Sequence, residues 1–262
     1  MHPALWTGKT GLQAMDVKMS TISNNLANVN TVGFKRNRAV FEDLLYQAQK
    51  MPGAQNGDDT QLPTGLQLGT GVRVTATQRQ FTDGGLEVTS QPLDMAVNGR
   101  GFFRLLMPDG EISYTRNGQF HLDSEGRIVN SNGFPLEPEI VVPDNTNSIT
   151  IGRDGTVTVT EAGQNNDAQE IGQVELVDFI NPAGLLAMGN NVYAETAGSG
   201  APLDGVGGEG GFGAVEQSML ELSNVSAVEE LVDMITTQRA YEMNTKVVSA
   251  ADEMLRNLNQ TL

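Results

Sequence analysis

The chain has 262 residues, with 16 Lys and Arg against 32 Asp and Glu, a formal net charge of −16, and no cysteine. That balance disfavours nucleic acid and anionic lipid as partners, since both call for a basic surface, and the lack of thiols excludes disulfides, zinc–thiolate centres and cysteine nucleophiles. His2 and His121 alone supply neither a His-rich metal site nor a conventional Ser–His triad; no run approaches the ~18 apolar residues of a membrane-spanning helix, and the first residues lack the pattern of a cleaved signal.

Residues 1–33 read as a helix. Leu5, Leu12, Met15, Met19, Ile22, Leu26 and Val29 recur at steps of three, four and seven, a heptad seam in which Gly8 fills the one vacant position. Pro3 suits the first turn, and Thr31-Val32-Gly33 supplies the stop. Residues 34–71 read as a connecting segment that is irregular from Met51 to Gly71 and contains an extended loop over 46–65. From 72 to 215 turn signals come at short intervals, among them Pro108-Asp109-Gly110, Asn117-Gly118, Asn132-Gly133 and Arg153-Asp154-Gly155. The strand-sized runs between them predict an antiparallel meander or barrel. Gly198 to Gly213 reads as a mobile loop.

Residues 216–262 read as a second long helix. Ser226 to Glu229 forms a capping box, and the pairs Ala240/Tyr241, Val247/Val248 and Met254/Leu255 repeat every seven residues, with Met243, Ala251 and Leu258 between them. The predicted fold is therefore mixed α and β: long N- and C-terminal helices forming a coiled-coil core, with a central, mainly antiparallel β domain. The apolar stripes allow two readings, an ordinary intramolecular helical hairpin or helices incompletely covered until other subunits arrive. Charge is unevenly spread. Between Arg153 and Arg239 there is no Lys or Arg but there are fourteen acids, so the run from Asp154 to Gln238 is expected to form an acidic, unpaired surface.

The string Ser23-Asn24-Asn25-Leu26-Ala27-Asn28-Val29-Asn30-Thr31-Val32-Gly33-Phe34-Lys35 resembles the N-terminal signature of the flagellar rod and hook axial protein family. Residues 93–103, with Asn98-Gly99-Arg100-Gly101-Phe102-Phe103, and Tyr114 to Phe120 resemble the family's β-domain signature. Val225 to Leu262, with Thr237-Gln238-Arg239-Ala240-Tyr241, resembles its terminal helix. Phe41 to Gln47, Pro52 to Gln55 and Leu62 to Val72 point to the distal-rod branch, because hook proteins generally lack the segment from about Tyr46 to Gly65. His2-Pro3-Ala4 and Thr7-Gly8 depart from the family pattern.

The resemblance implies a structural subunit, not an enzyme, that needs no cofactor or metal. It would self-assemble into a rigid helical tube that encloses an export channel and carries torque from motor to hook. The implied partners are further copies of the chain, proximal rod proteins, the hook protein, the P-ring and L-ring proteins as a bushing, and the type III export apparatus. The implied location is the basal body, from periplasm to outer membrane, reached without a cleaved signal. The implied assembly interface is Leu12, Met15, Met19, Ile22, Leu26 and Val29 on the first helix with Tyr241, Val247, Val248, Met254, Leu255 and Leu258 on the second. Asn24, Asn25 and Asn28 read either as a frayed helix end or as buried amides fixing register between subunits. Tyr46, Pro52, Leu62, Pro63 and Leu66 would brace neighbouring subunits. A proximal rod or hook subunit, a secreted β-rich binding module and a periplasmic carbohydrate-active enzyme are the competing readings. Asp123 and Glu125 fit an ordinary turn better than a calcium loop, and Tyr114, Phe120 and Phe134 are expected in the β core.

Overall fold

The structure, a computed structural model, describes residues 3–53, 55–57, 60–61, 63–161 and 168–260. Its contacts divide the chain into two compact units that alternate along the sequence. One comprises residues 1–27, 37–79 and 226–262, the other residues 28–36 and 80–225. The boundary thus falls at 80 rather than 72, because Val72–Arg79 pairs with Asn37–Asp43 and not with the strands that follow it.

In the first unit α1 (Pro3–Ala27) and α2 (Ala227–Gln260) pack against each other. Pro3 opens α1, where its missing N–H costs nothing. The Thr and Ser residues that give both helices modest intrinsic propensity bond to their own backbone. Thr21 Oγ1 donates to the Val17 carbonyl at 2.9 Å, Thr237 Oγ1 to Asp233 at 2.6 Å, and Thr245 Oγ1 to Tyr241 at 2.9 Å. The third part of this unit is an antiparallel ribbon, whose base, Asn37–Asp43 with Val72–Arg79, packs on α1. It continues as Tyr46–Lys50 with Leu66–Gly69, and then as Gln55–Gly57 with Thr60–Gln61. Register shifts at Val40/Phe41 and Ala48/Lys50 mark irregularities that increase twist. Part of the stretch expected to be irregular, Gln55–Gly57, Thr60–Gln61 and Leu66–Gly69, is therefore paired strand. Its strands are short and polar, and pairing between distant residues leaves no local periodicity to read.

The second unit is built on a six-stranded antiparallel sheet in the spatial order Leu186–Gly189, Val192–Ala194, Ile112–Thr115, Phe102–Leu106, Leu176–Asp178, Leu203–Gly205. A three-stranded sheet (Thr146–Ile151, Thr156–Glu161, Ala168–Gln173) and three two-stranded pairings complete it. Alternation along the strands sends Phe103 and Phe102 to opposite faces. Phe103 joins the main core with Met95, Leu105, Phe120 and Leu176, where Phe134 packs at the margin. Phe102 joins a smaller cluster with Tyr114, Phe179 and Tyr193. Edge-to-face pairs at 5.3 Å (Phe103–Phe120) and 4.8 Å (Tyr114–Phe179) fix the rings. The expected mobile loop at 198–213 is instead part of this body: Leu203–Gly205 is an edge strand and Phe212 packs on the main core. The chain is thus mixed α and β, with terminal helices and a central antiparallel region.

Candidate assembly interface

The two faces of α2 differ in a way its heptads do not announce. The face turned inward carries Glu230, Thr237 and Ala251, all buried, with Ala240, Asn244, Val248 and Leu255 half-buried. Val228, Val232, Ile235, Met243, Val247 and Met254, at helical spacing, are exposed, Val228 by 71% and Met254 by 67%. A lone helix hairpin would turn its large apolar residues inward. Here small and polar residues make much of the inward face of α2, beside Val248 and Leu255, and six large apolar residues face out.

The residues singled out from sequence fall on both sides of this division. On α1, Ile22 and Asn25 are buried, Leu12, Met15, Met19 and Leu26 are half-buried, and Asn24 is exposed. Asn28 and Val29 belong to the β unit, where both are half-buried. On α2, Val248 and Leu255 face inward, whereas Tyr241, Val247 and Met254 are exposed. The side chain of Leu258 and residue Leu62 lie outside the described residues. Tyr46, Pro52, Pro63 and Leu66 are all exposed on the ribbon. Asn25 is engaged within the chain: its Oδ1 accepts the Asn37 N–H at 2.9 Å, and its Nδ2 donates to the Asn37 carbonyl at 2.9 Å and to Glu230 Oε2 at 3.3 Å.

Sequence reasoning missed a buried charge node in the β unit. Lys35 and Glu221 are 0% and 1% exposed, and Lys35 Nζ donates to Glu221 Oε1 at 2.6 Å and to the Thr82 carbonyl at 2.8 Å. Arg116 lies 3.4 Å from the other carboxylate oxygen, donates to the Gly99 carbonyl at 2.8 Å, and stacks 5.1 Å over the Phe102 ring. Burial pushes Lys35 below the usual lysine range, overcoming the opposing pull of Glu221. Gly33 is left-handed (φ 67°), and a Cβ there would lie 2.7 Å from the Arg116 carbonyl. Nearby, Asn224 Oδ1 accepts the Arg36 N–H at 2.7 Å and its Nδ2 donates to the Gln80 carbonyl at 2.9 Å. The node thereby ties together Gly33–Arg36, Gln80–Gly84 and Glu221–Asn224, the stretches where the chain enters and leaves this unit. Lys35 and Arg116 stood inside recognisable strings; Glu221, in an ordinary Met-Leu-Glu-Leu run, gave no signal.

The charge map also changes in three dimensions. Arginines that precede Asp154 pair with acids that follow it: Arg100 with Asp178, Arg104 with Glu175 and Asp204, Arg116 with Glu221, and Arg153 with Glu216. Five of the fourteen acids in the run from Asp154 to Gln238 are thus paired with arginines from outside it. Asp123 accepts the Ser124 N–H at 2.7 Å and pairs with Arg127, as a turn residue does. Among the described residues no group of three His, Asp or Glu side chains could hold a metal ion, and no helix is long and apolar enough to cross a membrane.

Three family models match: a flagellar basal body rod protein model over residues 5–35, a flagellar hook protein FlgE/F/G D1 domain model over 96–159, and a basal body rod FlgEFG C-terminal model over 216–261. Together they take in both helices and part of the β unit, and they define an axial protein of the flagellar rod and hook. The flagellar basal-body rod protein FlgG of Buchnera aphidicola subsp. Schizaphis graminum is 50% identical over 99% of this chain and 100% of its own. FlgG of Borreliella burgdorferi is 46% identical over 97% of each chain, and that of Caulobacter vibrioides 45% over 98% of each. The chain belongs to the FlgG family of flagellar basal-body rod proteins. It is a structural subunit of the distal rod and not an enzyme.

Proposed function

We propose that the subunits polymerise through α1 and α2 into a coiled-coil core around an export channel, a rigid tube that carries motor torque to the hook. The observation that carries this reading is the outward apolar face of α2. Fully burying a Val, Ile or Met side chain contributes ~1.5–3 kcal/mol, so six such side chains supply strong association once neighbouring helices cover them. The half-buried Leu12, Met15, Met19 and Leu26 extend the seam on α1. Further copies of the chain cover these faces. At the ends and around the tube the partners are proximal rod proteins, the hook protein and the P-ring and L-ring proteins. The subunit reaches this place, spanning the periplasm to the outer membrane, through the type III export apparatus. Ribbon residues 46–65 brace neighbouring subunits and keep the tube straight.

Replacing Ile235 or Val247 by Asp tests the reading. Either carboxylate would meet an apolar neighbour without compensation. Rods should be absent from electron micrographs and swimming lost, while the purified chain keeps its β-unit melting transition. Normal rods from either variant would reject the assignment of this face. Val248→Asp is a poorer probe, because Val248 faces α1.

A further inference from the structure

Gly8 is the vacancy in the first heptad seam, and glycine is the poorest helix former apart from proline. The structure gives it a use. A Cβ at Gly8 would lie 2.6 Å from Val248 Cγ2, and one at Gly11 would lie 3.3 Å from Asn244 Nδ2. Farther along, Asn25 reaches Glu230. These three contacts run up one helix and down the other in a single antiparallel register. Ala14 and Thr237, each 1% exposed, are small side chains buried on the two helices.

We propose that Gly8 is a notch that seats Val248, and that this seat sets the register and rotation of α2 on α1. The choice of Val248 is steric. The heptad-equivalent positions on either side are Tyr241 and Leu255, both larger than valine, and a β-branched side chain held in one helical rotamer fills a notch without adjusting. Slipping α2 by a heptad would place one of those larger side chains over Gly8. Rotating α2 would carry the Ile235 and Val247 face inward. The notch therefore specifies which side of α2 is offered to neighbouring subunits. This inference rests on the proposed assembly role of that outward face.

The experiment is a size swap in cells, with rods scored by electron microscopy and motility by swimming rate. Gly8→Val alone should reduce both at least tenfold, because two branched side chains then compete for one space. Combining Gly8→Val with Val248→Gly, which exchanges the partners and conserves volume, should restore both to within about threefold of wild type. A degraded single variant beside a healthy double one is itself the register effect. An innocuous Gly8→Val, or a double variant no better than the single, would overturn the notch. Co-expressing the Gly8→Val chain with a Val248→Gly chain should leave the defect in place, and rescue by that mixture would show that the contact is not made within one chain. Ile235→Asp serves as the separate control on the assembly role. If it assembles normally, that role fails whatever the swap does; if it blocks rods while the swap shows no rescue, only the notch fails.

Discussion

The two units handle large apolar side chains in opposite ways. The β unit buries Phe102, Phe103, Leu105, Leu176 and Phe179 almost completely and closes its aromatic clusters edge to face. The helix–ribbon unit buries Gly8, Ala14, Asn25 and Thr237 and leaves Val228, Ile235, Met243 and Met254 in solvent. A unit of the first kind closes a large core from its own residues. One of the second kind has an interface still to be completed, because exposed apolar residues at helical spacing gain nothing until something covers them. Stability and assembly should therefore be separable by mutation.

The sharpest way to test that separation is at the charge node. Glu221→Ala leaves the Lys35 and Arg116 cations buried without their carboxylate, the situation in which breaking a buried pair costs about 3–5 kcal/mol. Thermal or urea unfolding of the β unit should register that loss, whereas Ile235→Asp should leave the same transition unmoved. If both variants shift the transition alike, the two units do not divide the work as described.

A smaller effect comes from Lys35 itself. Burial lowers its pKa below 10.5 in the folded chain, so the unfolded chain keeps this proton to higher pH. Stability rises with pH wherever the unfolded state binds more protons. The contribution of Lys35 should thus improve as pH climbs through its folded pKa toward 10.5. Melting curves of wild type and Lys35→Met from pH 7 upward would show it: the stability of wild type minus that of the variant should grow with pH. A difference that shrinks would mean that the Glu221 attraction outweighs desolvation.

What could be read from the sequence follows from the range of the interactions. Heptad spacing marked both helices, since it repeats every turn or two, and dipeptides such as Asn117-Gly118 marked the β region, since turns are local. The side of α2 that faces inward was not legible. Ala240/Tyr241 and Val247/Val248 offer apolar residues to either side, and only the close approach at Gly8 and Gly11 selects between them. Nor was Glu221, whose partners lie more than a hundred residues earlier. The partial pairing of the acidic run was hidden for the same reason: composition sees neighbours in sequence, and Arg104 meets Asp204 only in the folded sheet.

The ribbon should show the smallest effect on stability and a large one on form. Tyr46–Lys50 and Leu66–Gly69 are exposed on both faces, with Leu45 88% exposed beside them. Two strands alone are at best marginally stable in water. Tyr46 lies opposite Gly69, with its ring 3.3 Å from where a Cβ would stand there, a cross-strand cover that holds the pair together. The exposed Tyr46, Met51 and Leu66 contribute nothing to a core within this chain, so removing them should cost the free subunit little. Deleting residues 46–65 should leave the β-unit transition within ~0.5 kcal/mol of wild type, the range of surface changes generally. If the same residues brace adjacent subunits, as proposed, the deleted chain should still polymerise, but into axial structures that bend. Straight tubes from the deletion variant would show that the ribbon is an ornament of the fold; a destabilised β unit would show that the two units are not independent.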